Sequence, residues 1–139
     1  MIGNRAGTPA RHQYLYRDSA RQECHVASPL RKSVAQSIAL SAVVRSELLA
    51  GALLSAKPDE NRRIAEEFCA LFPCLPFDAN VADIHAEWHV RLRNVGTSIG
   101  VKDLMIAATA LTHNLAVVTH NTDEFRRING LAIEDWQDE

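Results

Sequence analysis

At 139 residues, 47% of them hydrophobic, the chain is long enough for one domain with a proper core, and it needs no disulfide framework or structural metal to fold. Its 15 Lys and Arg against 17 Asp and Glu leave a formal net charge of −2, so a nucleic-acid partner has to be held by a local basic surface and not by bulk charge. Three scattered cysteines, Cys24, Cys69 and Cys74, fit a reducing cytoplasm; no apolar run reaches the ~20 residues of a membrane span, and the N-terminus lacks the apolar core of a signal peptide.

Residues 1–36 are rich in Arg, Gln, Ser and Gly and carry no sustained apolar period, which reads as loop or weak structure. From Ser37 the pattern sharpens. Residues 37–44 read as a short buried strand that runs into a helix carrying Val44, Leu48, Leu49 and Leu53 and closing near Lys57 and Pro58. Pro58 opens a second helix with Ile64, Phe68 and Leu71 at helical spacing and Asp59 as a cap. Residues 74–77 read as a short strand. Asp78 then caps a long amphipathic helix with Val81, Ile84, Trp88 and Leu92 on one face, ending near Gly96. Gly100 precedes the next helix, whose apolar positions are Ile106, Ala107, Ala110 and Leu111, with Asn114 as its stop signal. A buried strand follows over residues 116–119, a short helix over 122–127 and a last strand over 131–133. Strands alternating with helices predict a parallel sheet covered on both faces.

Four residues gather where such a sheet places active sites, at the carboxyl ends of its strands. Glu47 lies on the helix after the first clear strand, Asp103 in the first turn of its helix, and Asn121 and Glu124 just past a buried strand. Taken singly, each has a plainer reading: a solvated carboxylate, a favourable charge at a helix start, a turn former and a surface acid. Together they form an acidic cluster of the kind that holds Mg²⁺ or Mn²⁺, because like charges brought together repel unless a cation neutralises them. His85 and His89 stand at the i,i+4 spacing that can bind zinc, but the order His85-Ala86-Glu87-Trp88-His89 is not that of the zinc proteases, and a packing or solvated role is the simpler reading. His120 sits beside Asn121, where a protonated ring can meet a phosphate or be incidental. Arg45, Lys102, Arg126 and Arg127 are solvated charges by default, and their closeness in sequence to the acids makes them the candidates for gripping an RNA backbone.

The stretches 41–51, 96–108, 117–125 and 130–136 strongly resemble PIN-domain ribonuclease toxins of the VapC type, and the resemblance runs over roughly residues 37–137. It implies a three-layer α/β/α fold with a central parallel sheet, a metal-dependent endoribonuclease that hydrolyses RNA phosphodiesters, an antitoxin partner, a homodimer and a cytoplasmic location. By the same resemblance Glu47 and Asp103 ligate Mg²⁺ or Mn²⁺, Asn121 and Glu124 support the metal or position water, and Thr119 orients its neighbours. Ile99, Gly100, Ala107 and Ala108 match the family too, with close helix–sheet packing as their implied role.

One departure is conspicuous. The family's first strand ends in an Asp, usually within Leu-Asp-Thr-Asn and about 35 residues ahead of the position of Glu47, at the strand end where such sheets place their ligands. Here His12 occupies that neighbourhood, and the nearest carboxylate is Asp18. Residues 11–16 can be back-translated, with codons chosen among the synonymous ones, as CGA CAC CAA TAC CTG TAT; read one nucleotide later, with the C that begins most arginine codons for Arg17, that choice gives Asp-Thr-Asn-Thr-Cys-Ile, a typical first-strand motif of the family. Residues 1–36 therefore read as a divergent or frame-shifted segment that leaves the first strand in doubt, and residues 37–137 as the PIN domain. The competing reading is a catalytically impaired remnant that only binds an antitoxin or a second copy of itself. A nucleotide-binding switch on a similar sheet has neither Gly-rich phosphate loop to support it.

Overall fold

The computed structural model describes residues 38–135 and, for its backbone, the strand Tyr14–Tyr16. In chain order the elements are β1 (Tyr14–Tyr16), β2 (Ile38–Ser41), α1 (Ala42–Leu53), α2 (Pro58–Cys69), β3 (Cys74–Leu75), α3 (Ala79–Asn94), α4 (Val101–Thr112), β4 (Ala116–Val118), α5 (Thr122–Phe125) and β5 (Ile133–Glu134). The five strands form one sheet in the order β3-β2-β1-β4-β5, and every pair is parallel. This is the three-layer α/β/α architecture. The order matters for function. From β1 the chain moves outward to β2 and β3, then returns to the other side of β1 as β4 and β5. The connections after β1 and β4 leave in opposite directions, and the crevice between them is the switch point at which doubly wound sheets bind ligands.

Strand β1 comes from the stretch whose composition reads as loop, and it holds the middle of the sheet. Tyr14 pairs with Ile38 on one side and Ala116 on the other, Tyr16 with Leu40 and Val118. Strands β2 and β4 are buried at every position, as strands covered on both faces have to be. His12, Asp18, residues 11–13 of the proposed frame shift and Trp136 lie outside the described residues.

The helix boundaries follow local chemistry. Ser41 ends β2 and caps α1, its hydroxyl accepting from the Val44 N–H at 3.1 Å. Asp78 does the same for α3 through Val81 N–H at 3.1 Å. Asn114, with φ of +57°, stops α4 in the left-handed conformation that Asn tolerates. Asp59 is not a cap: Lys57 holds the cap position without a side-chain bond, Pro58 starts the helix, and Asp59 is a first-turn charge. Leu71 falls beyond the end of α2 and is exposed, so its helical spacing from Phe68 marks no core position.

Helix α4 is the hub, packing against α1, α3, α5 and the β4 strand that follows it. Ala107, Ala108 and Ala110 are fully buried, and their small side chains let the helix approach its neighbours closely. Ala107 and Ala110 join Leu104, Ile106, Val117, Phe125 and Ile128 in the hydrophobic core.

Candidate functional site

Three of the expected site residues come together at that edge. Asp103 lies in the first turn of α4 and is buried. Asn121 follows β4 and donates its side-chain N–H to Asp103 Oδ2 at 3.2 Å. Its backbone N–H donates to Thr119 Oγ1 at 3.0 Å, so the buried Thr119 hydroxyl fixes the turn that aims Asn121. Glu124, on α5, completes the group. The Asp103 carboxyl beside it is the largest influence holding its acid below the ordinary carboxylate range, against the raising effect of burial; the Gly100 N–H, the Asn121 amide and Arg127 act in the same lowering sense. Two carboxyl groups this close share a proton unless a cation lies between them.

The residues present fit a hard cation. Glu124 Oε2 is enclosed and meets no hydrogen-bond donor of good geometry among the described residues. Above it lies Gly100, where an added Cβ would stand 3.8 Å from Glu124 Oε2 and 3.7 Å from Asp103 Oδ2. Gly100 is exposed, with a φ of −57° that any residue adopts. Beside its expected part in helix–sheet packing, Gly100 brings bare backbone against the carboxylate pair. Such a role leaves no trace in local sequence, because the two acids stand on separate helices.

Glu47 is half-buried on α1, which packs against α4, the helix of Asp103. Among the described residues no three His, Cys, Asp or Glu side chains converge as a metal cluster. Lys102 and Arg126 are exposed and Arg45 is half-buried. Arg126, just past the end of α5, approaches Asp123 of that helix at 3.9 Å. Arg127 reaches further and donates to the Ser98 carbonyl at 2.7 Å. His120 pairs with Asp135 at 3.2 Å on the exposed side of the same edge. The His85 and His89 rings stack 6.2 Å apart and nearly parallel, with Phe77 edge-on to His85. They present faces, not converging nitrogens, to one another, as the packing reading expects, and burial followed by His89 pushes the pKa of His85 below the ordinary imidazole value.

The parallel sheet with acids at its switch point defines the class. The chain belongs to the PIN domain family, whose sequence profile matches residues 14–131. Within that family it is of the VapC toxin type. It is 37% identical over 97 residues to the tRNA(fMet)-specific endonuclease VapC of Shigella flexneri, covering 70% of this chain and 74% of the relative. It is 34% identical over 99 residues to ribonuclease VapC2 of Rickettsia felis, covering 71% and 74%. Among solved structures, DNA-bound VapBC from Salmonella typhimurium superposes with a TM-score of 0.82 at 28% identity, over 90% of this chain and 98% of that one. VapBC-1 of nontypeable Haemophilus influenzae gives 0.74 at 26% identity, over 89% and 98%. No helix among the described residues is long and apolar enough to cross a membrane.

Proposed function

We propose that this chain is a Mg²⁺- or Mn²⁺-dependent endoribonuclease toxin, hydrolysing RNA phosphodiesters in the cytoplasm under the control of a cognate antitoxin. The observation that carries the reading is the Asp103–Asn121–Glu124 group at the crevice between β1 and β4. The relatives named as ribonucleases, and the solved relatives that are VapBC complexes, support the same reaction class and the same kind of partner.

Asp103 and Glu47 hold the metal, and Glu124 supports it. When bound, a hard divalent cation supplies a water of lowered pKa and neutralises charge building on the phosphoryl oxygens. The Asn121 amide keeps the Asp103 carboxyl in one orientation, and Thr119 keeps Asn121 in place. Gly100 leaves space over the acids for substrate. Arg45, Lys102 and Arg126 grip the RNA backbone by charge, independently of base sequence.

A second reading is favoured by one observation: Tyr14, Leu15 and Tyr16 make up the described middle strand, and none of them is an acid. On that reading the chain is an impaired PIN domain that binds an antitoxin or a second copy of itself. The exposed Leu53, Leu54, Ile64 and Leu71 around α1 and α2 offer the apolar surface for such contacts. RNA cleavage measured with Mn²⁺, with EDTA, and for Asp103→Asn and Glu124→Gln separates the two. Metal-dependent cleavage lost in Asp103→Asn supports the nuclease. An intact fold with no cleavage in any arm supports the binding module.

A further inference from the structure

Two neighbouring arginines on one exposed stretch behave differently. Arg126, just past the end of α5, comes near Asp123 of that helix, at 3.9 Å. Arg127 reaches across 29 residues of sequence to donate Nη1–H to the Ser98 carbonyl at 2.7 Å. Ser98 belongs to the turn between α3 and α4. That turn begins at Gly96, with φ of +73°, and ends at Gly100, the N-cap of α4. At its far end Gly100 faces the acids: its N–H acts on Glu124, and a Cβ built on it would stand 3.7 Å from Asp103 Oδ2 and 3.8 Å from Glu124 Oε2. Thr97 N–H bonds back to Leu92 and Gly96 N–H to Arg93, which secures the beginning of the turn; Ile99 packs against the core and the Gly100 carbonyl accepts from Leu104 N–H at its end, and between them the Arg127 side chain holds Ser98.

We propose that Arg127 is a positioning residue of the acid site: by holding the Ser98 carbonyl it fixes the turn that brings Gly100 against Glu124 and Asp103. The inference rests on the nuclease reading for the identity of the site. Its two physical ingredients have opposite signs, which makes it testable. The guanidinium charge near two carboxylates repels a cation, so a charge effect alone predicts tighter metal binding when Arg127 is removed. The hydrogen bond orders the turn, so a clamp predicts weaker binding.

The experiment uses the full chain and three variants: Arg127→Met, which keeps bulk but loses donor and charge, Arg127→Lys, which keeps a donor and the charge, and Arg126→Met as a neighbour control. Mn²⁺ affinity is measured by titration, and the Gly100 amide is followed by its NMR shift and hydrogen exchange. The expected result is faster Gly100 exchange and an affinity loss of about 10-fold in Arg127→Met, at the low end of what supporting residues contribute to metal sites. Arg127→Lys restores most of both, and Arg126→Met changes neither. Tighter Mn²⁺ binding in Arg127→Met would overturn the clamp, as would a lowered melting temperature with the Gly100 amide unchanged. If the parent chain binds no Mn²⁺ while the Gly100 amide still responds to Arg127, the nuclease reading fails and the positioning role stands.

Discussion

The two flanks of the middle strand solve different physical problems. On the β4–α5 side the fold draws the acids Asp103 and Glu124 together, with a carboxylate oxygen enclosed and Gly100 left bare above it. On the α1–α2 side it leaves Leu53, Leu54, Ile64 and Leu71 in water, while Phe68 and Phe72 pack edge to face beneath them at 5.1 Å. Each arrangement is costly alone: clustered carboxylates repel, and exposed apolar surface is hydrated unfavourably. Each therefore points to what relieves it, a cation and phosphate on one flank and a protein surface on the other. On the proposed reading Asp103 and Glu124 serve the metal on one flank and the apolar surface around α1 and α2 serves partnering on the other, while Glu47 and Arg45 of α1 are assigned to the metal and the RNA.

The largest expected effect separates site from scaffold. Asp103→Asn should reduce any RNA cleavage by at least about 100-fold, since even supporting residues contribute about 10–100-fold, while leaving the circular dichroism spectrum unchanged. Phe125→Ala should do the opposite. Phe125, the last residue of α5, is fully buried, so its truncation costs about 3–5 kcal/mol and lowers denaturant stability before it touches chemistry. Cleavage surviving in Asp103→Asn would remove the site from this flank.

A smaller effect is expected from pH. The Glu124 carboxyl is depressed in the folded chain, first by the Asp103 carboxyl. A depressed acid binds its proton more readily when the chain is unfolded. Its stabilising contribution is therefore present above the unfolded value of about 4.3 and lost as pH falls through the lower folded value. Denaturant titrations between pH 7 and pH 3 should show a shallower acid loss in Glu124→Gln than in the parent. Parallel curves would contradict the pairing of the two acids.

The other flank should respond in association and not in stability. Leu53→Glu with Ile64→Glu, both at exposed positions, should change monomer stability by no more than about 0.5 kcal/mol each. The pair should nevertheless abolish the expected two-fold self-association, read by sedimentation at high micromolar concentration. A parent chain that is monomeric there would leave this flank to the antitoxin alone. The smallest effect is expected at Asp59, where replacement by Ala removes a first-turn charge worth about 0.3–1 kcal/mol and no cap.

What could be read from sequence was what neighbours in sequence determine. The Asp78 cap, the Asn114 stop and the apolar period of α4 are local, and the structure has them where the pattern puts them. The short β strand at Cys74 ends sooner than its pattern, at Leu75, and the last strand begins later, at Ile133, because pairing with β2 and β4 sets their limits. Strand β1 falls within residues 11–16, where the family resemblance alone put a first-strand motif; composition does not show it, because three residues carry no period and this strand exists through its ladders to β2 and β4. The site was legible as a set of acids and amides but not as a geometry. The approach of Glu124 to Asp103, the space kept by Gly100 and the reach of Arg127 to Ser98 join positions far apart in the chain.

The most direct measurement is RNA cleavage with Mg²⁺ and Mn²⁺ by three proteins: this chain, the chain with residues 11–16 replaced by Asp-Thr-Asn-Thr-Cys-Ile, and that replacement combined with Asp103→Asn. Weak or absent cleavage by the first, metal-dependent cleavage by the second and loss in the third is the predicted result: the acids at the β4–α5 flank then need a carboxylate from the middle of the sheet. Strong cleavage by the unaltered chain, abolished by Asp103→Asn alone, would contradict it and show that the described acids suffice without that strand's Asp.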